Sequence, residues 1–166
     1  MTSSAPRSSV KYPFVPKSTA YLEPGQFWSI PLDNGWFACG RVLQLKIVDG
    51  QRDRRQFLAG LIDWRGTSVP TDEAIAGAQL LDHGQVHIKT ITENGCEIQG
   101  FRSLEQDSIE IPLTLDESTG PRCRLRRGFN VLGVATKDQQ ERLSVFSTWG
   151  YRVIKIRAEK YFGKAI

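Results

Sequence analysis

Two histidines, three cysteines and several clustered arginines are the side chains from which any chemistry in this chain would have to be built. His83 and His87 stand four residues apart, a spacing that brings two imidazoles to one metal when a single helix face carries both. No third histidine and no cysteine lies near them in sequence, so no metal site is expected. Cys39, Cys96 and Cys123 are widely separated and form no CxxC; small buried residues of a reduced protein are the simplest reading, with one disulfide left open. Asp49, Asp53 and Asp63 form no convincing acid–base pair. The GxSxG, HExxH, Walker and GxGxxG patterns do not occur. No catalytic residue and no cofactor is therefore expected, and an enzyme ranks third among the functional readings.

The arginines point to binding. Arg52, Arg54 and Arg55, with Asp53 among them, crowd into QRDRR; a solvated turn or a phosphate contact would each suit that run. Arg122, Arg124, Arg126 and Arg127 form RCRLRR, followed by Lys155, Arg157, Lys160 and Lys164. Residues 120–166 carry 11 Lys and Arg against 3 Asp and Glu, whereas residues 1–119 carry 11 against 15. Such an imbalance attracts an anionic partner or faces the acidic remainder of the same molecule. Tyr151, Tyr161 and Phe162 could stack bases beside these cations. A nucleic-acid-associated or regulatory binding protein using Arg122, Arg124, Arg126, Arg127, Lys155 and Arg157 is the second reading.

The elements that position these groups are mostly strands. A chain of 166 residues with 40% hydrophobic and 24% charged residues suits one globular domain. Residues 1–20, rich in Ser and Pro without an apolar leader run, read as a flexible N-terminal arm ahead of one β-rich domain over 21–166. A sub-boundary is expected near 116–122, where composition turns from acidic to basic. No apolar run approaches the ~20 residues that span a bilayer, so a cytoplasmic protein without membrane insertion is expected. Strands are expected over Gln26–Leu32, Trp36–Val48, Gln56–Asp63, Gln85–Thr92, Cys96–Phe101 and Ile109–Leu115, short buried strands over Phe129–Ala135 and Leu143–Ser147, and an alternating stretch over Tyr151–Ile156 ahead of a frayed helical turn at 158–166. Asn34-Gly35 and Asn94-Gly95 supply hairpin turns. One helix is expected over Asp72–Leu81, capped by Thr71 or Asp72 and ended near Gly84. The expected fold is β-rich α+β, a strongly bent antiparallel sheet or small β-barrel with one packed helix. Ile109–Leu115 could serve as an exposed edge that pairs with a second copy.

The densest cluster of signals is Gly25–Leu43, GQFWSIPLDNGWFACGRVL. Its Ile30-Pro31-Leu32, glycine turn, aromatic residues and Gly40-Arg41-Val42-Leu43 resemble the N-terminal motif of the immunity protein 26 family. Gln26 stands where that family usually has Asp, and Cys39 departs from the pattern too. The match covers about 19 residues. It implies a non-catalytic bacterial protein that binds and neutralises a cognate toxin. Trp28, Trp36, Phe37 and Trp64 are then candidate anchors, and Arg41, Arg52, Asp53, Arg54 and Arg55 candidate steering charges. Strand tryptophans also commonly pack a core, so the motif could describe the fold instead of a binding face.

Overall fold

Two turn sequences set the register of the main sheet in the computed structural model, which describes residues 10–116 and 120–163. At Asn34-Gly35, Gly35 takes φ +89°, its N–H donates to Leu32 O at 3.0 Å, and Asn34 Oδ1 accepts from Trp36 N–H at 2.9 Å. This turn joins β1 (Gln26–Pro31) to β2 (Phe37–Val48) and places Trp28 opposite Gly40 and Phe27 opposite Arg41. At the second turn both Asp49 (φ 52°) and Gly50 (φ 77°) have positive φ, the two-residue hairpin geometry that follows strand twist. β3 (Gln51–Gly66) therefore starts at once, with Gln51 opposite Val48. The QRDRR run expected as a loop lies inside this strand.

β3 also pairs with β4 (Leu80–His87), and β1 with β5 (Ile98–Phe101). The large sheet runs β4-β3-β2-β1-β5, antiparallel throughout. A smaller antiparallel sheet orders β6 (Leu113–Leu115), β7 (Arg124–Arg127) and β8 (Asn130–Val134). The fold is β-rich and antiparallel, as expected, but its strands divide into two sheets, and the large sheet stays open rather than closing into a barrel.

Both faces of the large sheet are covered, so consecutive residues of β1 and of the first half of β2 are buried. On one face Trp28, Ala38, Val42, Phe57 and Leu61 pack with Ile154, Ala158 and Phe162. Those three residues recur at a spacing of four on α3 (Val153–Phe162), so a single helical stripe meets the sheet. On the other face Phe27, Cys39, Leu43, Leu58 and Ile62 pack with Ile75 and Ile109, and with half-buried Phe129 and Phe146.

The packed helix is thus α3 rather than the expected Asp72–Leu81. Thr71 does cap, its Oγ1 accepting from Ala74 N–H at 3.1 Å. Propagation fails because Gly77 turns to φ +80° and Gln79 O accepts from Asp63 N–H, so the chain re-enters the sheet by Leu80. The expected second hairpin also differs. A short helix, α1 (Lys89–Thr92), follows β4 and buries Thr90 and Ile91; the returning strand pairs with β1, 70 residues upstream. A further short helix, α2 (Lys137–Arg142), begins at a capping box made by Thr136 and Gln139.

Residues 1–9 of the expected arm lie outside the described residues, but 10–20 are docked. Phe14 exchanges two backbone hydrogen bonds with Ile98, at 3.1 and 2.8 Å. Arg52 Nη1 donates to Thr19 O and Ala20 O, and Thr19 Oγ1 donates to Asp53 O. The expected sub-boundary at 116–122, of which 117–119 lie outside the described residues, connects two strands paired in one sheet, Leu115 facing Leu125.

Candidate functional site

The residues named from sequence divide into buried ones, clamped ones and exposed ones. Trp28 is fully buried and meets Phe57 edge to face, with ring centroids 6.0 Å apart. It is a core residue and presents nothing to a partner. Trp36, Phe37 and Trp64 are half-buried, and the Arg65 guanidinium stands over the Trp36 ring at 5.4 Å.

Arg41 is also fully enclosed, which corrects its assignment as a steering charge: a guanidinium with 0% exposure cannot project a field through water. Its Nη2 donates to Gly25 O at 3.4 Å and to Arg102 O, spanning the junction of β1 with the end of β5. Asp107 Oδ2 lies 3.8 Å from its Nη1. Arg102 holds the same carboxylate in a two-pronged grip, Nε to Oδ2 at 2.8 Å and Nη2 to Oδ1 at 2.9 Å, and reaches Asp72 with Nη1. Asp107 Oδ1 also accepts from Gly77 N–H at 2.8 Å. This Arg41–Asp107–Arg102–Asp72 network ties β2, the 72–78 loop and the turn at Leu104–Asp107 together. Sequence spacing concealed it, since its members are spread over 67 positions.

Among the other charges, Arg52 is occupied by the carbonyls of Thr19 and Ala20. Asp53 Oδ1 accepts from the N–H groups of Arg55 and Gln56 at 2.8 and 2.9 Å, leaving Arg54 and Arg55 exposed. The C-terminal cations do not gather into one patch. Lys155 Nζ donates to Pro31 O, Asp33 and Glu159, and Arg157 pairs with Asp82 at 2.5 Å while lying over Trp149. Both sit on α3, on one face of the large sheet. Arg124 and Arg126 share Asp116, Arg126 stacks on Phe146 at 3.9 Å, and Arg127 donates to Ile111 O. Phe146 packs against the opposite face of that sheet, and Arg122, just ahead of β7, is exposed. The arginines of β7 and the cations of α3 therefore flank different sides.

His83 and His87 lie in β4 and are not joined by a third ligand; among the described residues no three His, Cys, Asp or Glu side chains gather as a metal site. All three cysteines are free and buried. Burial pushes the Cys96 thiol up to about 11, against the opposing charge of Lys155, so it is held as an unreactive thiol at neutral pH. Among the described residues no helix is long and apolar enough to cross a membrane.

One exposed element was misread from sequence. Phe129–Ala135 was expected as a buried strand, yet every residue of β8 is exposed: Val131 by 46%, Leu132 by 53% and Val134 by 66%. β8 is the outer strand of the small sheet. The other sheet edges each carry a bridge to a further segment: β5 through Phe14, β4 through Thr148, and β6 through Val145. The last of these also removes the Ile109–Leu115 edge from consideration as a free one. Among the described residues, no bridge is formed along the outer side of β8. An apolar run without alternation signals burial on both faces, and nothing in the sequence distinguishes that from exposure on both. No protein-family model, no curated protein and no solved structure matches the chain.

Proposed function

We propose that this protein acts by binding, without catalysis, and that its partner is a bacterial toxin that it neutralises, as the resemblance of Gly25–Leu43 to immunity protein 26 implies. The observation that carries the binding reading is the open edge of β8. An outer strand with free backbone groups pairs readily with an extended segment of another chain. Val131, Leu132 and Val134 add apolar contact on both faces of that edge. Arg122 and Arg124, exposed on or beside the neighbouring strand, suit a toxin segment with acidic flanks. Half-buried Trp36, Phe37 and Trp64 belong to the scaffold in this reading, and β8 takes over the anchoring role.

The test is a tagged pull-down from the native cell, with protein and nucleic acid quantified in one eluate. A stoichiometric polypeptide retained at high salt, toxic when expressed alone and harmless when co-expressed with this chain, is the expected result. A Val131→Lys, Leu132→Asp, Val134→Lys variant should lose protection while keeping the thermal midpoint, because exposed substitutions change stability little. Full protection by that variant would remove β8 from the interface. Nucleic acid released by raised salt, with no protein partner, would overturn the toxin reading and move the role to Arg122–Arg127.

A further inference from the structure

A second surface, on the large sheet, has a different chemistry. Where the docked N-terminal segment passes the end of β4, it borders a cavity of about 550 Å³. Lys17, Arg55, His87, Lys89 and Thr92 supply its charged and polar lining, and Val15, Pro16 and Ile88 its apolar wall. Among the described residues, none that lines it is acidic. Asp53, whose charge acts on His87, has Oδ1 engaged by the N–H groups of Arg55 and Gln56.

Each wall of the cavity is held by backbone contacts. Gln56 faces His87 across β3 and β4, and Arg55 O accepts from Ile88 N–H at 2.7 Å, so Arg55 and the end of β4 stay side by side. The segment carrying Lys17 is fixed before it by Phe14 on Ile98 and after it by Thr19 Oγ1 on Asp53 O. His87 Nδ1 accepts from Lys89 N–H at 3.0 Å. That bond assigns the neutral ring's proton to Nε2, making His87 a hydrogen-bond donor with its remaining nitrogen. The Tyr151 ring backs both His87, at 5.5 Å between centroids, and Lys89, whose Nζ lies 5.8 Å from the ring.

We infer that this cavity binds a small organic phosphate of about nucleotide size, its phosphoryl group held by Lys17, Arg55, His87 and Lys89. Three cations and a neutral N–H donor without a lining carboxylate match a doubly charged phosphomonoester better than a singly charged carboxylate. The volume exceeds what one inorganic phosphate fills, and the Val15, Pro16 and Ile88 wall suits the organic remainder. Of the three arginines in QRDRR, Arg55 alone lines the cavity; Arg52 is committed to the Thr19 and Ala20 carbonyls. The inference is independent of the toxin reading, since β8 belongs to the other sheet.

His87 provides an internal reporter. Burial, Lys89 and Arg55 lower its pKa, and Asp53 opposes them. A bound phosphoryl dianion among the same cations stabilises the imidazolium and moves the titration upward.

The experiment follows the His87 ring by NMR in the full chain while adding inorganic phosphate, adenosine monophosphate, adenosine or a short single-stranded oligonucleotide. The monophosphate should saturate and raise the His87 titration, phosphate should do so more weakly, and adenosine should leave it unchanged. Arg55→Gln and Lys89→Gln should each weaken the monophosphate about tenfold with an unchanged thermal midpoint, as expected for loss of one charge-assisted bond. No shift at His87 with about 10 mM monophosphate, an affinity too weak to matter, would overturn the inference. So would undiminished binding by a variant carrying both Arg55→Gln and Lys89→Gln. Tighter binding of the oligonucleotide than of the monophosphate would replace the small ligand by a nucleic-acid backbone.

Discussion

Arg41 keeps its charge where water does not reach it, and its Nε and Nη1 make no hydrogen bond. Burial depresses its pKa, opposed by the nearby Cys39 and Asp107. What the residue contributes is position: one nitrogen meets the carbonyls of Gly25 and Arg102. Arg41→Ala removes that donor and leaves Asp107 with one cation fewer, which should cost about 3–5 kcal/mol, the range for breaking a buried charged contact. Urea unfolding measures it, and Arg41→Met, which preserves much of the volume, should cost less. An unchanged urea midpoint in Arg41→Ala would show that this contact does not hold the junction of β1 and β5. Asp107 gives the network a pH dependence. Its bonds from Arg102 hold its carboxyl below the usual carboxylate range. The folded chain thus takes up this proton less readily than the unfolded one. The stabilisation is complete above the unfolded value, about 3.9, and fades as pH falls through the lower folded value. Asp107→Asn should flatten this part of the acid limb when thermal midpoints are compared between about pH 2 and 6; a limb as steep as that of the parent would assign the effect to other carboxylates.

At the scale of elements, Gly40 shows what the Gly-Arg-Val-Leu sequence does for the sheet. A Cβ built there would meet the Trp28 indole, which lies across the strand pair on the glycine. The β2–β3 register also shifts between Ala38 and Gly40. A glycine inside a strand suggests a bulge or a close approach, and here both occur, the neighbour being a side chain. Gly40→Ala should destabilise by about 1–3 kcal/mol through overpacking, read by urea denaturation with the β-sheet signal retained; a neutral result would mean Trp28 can move aside. The β1–β2 hairpin was legible because its turn is local: Asn34 and Gly35 set the geometry with bonds inside five residues. β5 was legible as a strand but not as the partner of β1, because that pairing depends on Phe101 and Gly100 meeting Gln26 and Phe27 across the chain. The helix was misplaced for a related reason. Ile154, Ala158 and Phe162 form a stripe only once a sheet face exists to receive them, whereas Thr71 and Ala74 imitate a helix start that Gly77 cancels.

At the scale of the molecule, the candidate surfaces were less legible than the framework. Arg55 and His87 were visible as chemical groups, but their convergence depends on the β3–β4 register and on the N-terminal segment folding over them. Trp28 and Arg41, prominent in the one recognisable motif, belong to the interior. β8 became visible as a surface only through what fails to cover it. That asymmetry among edges bears on stoichiometry. If two copies join through β8, each offers the same edge to the other, and among the described residues the pair then has no comparable open strand with which to recruit a third. Association of the free protein should therefore stop at two: sedimentation at rising concentration should show a monomer–dimer equilibrium, abolished by the β8 triple variant, whereas a continuing series of larger species would require a second adhesive surface. A partner arriving at β8 would then compete with self-association, and the concentration of the chain itself would set how much of it is free to respond.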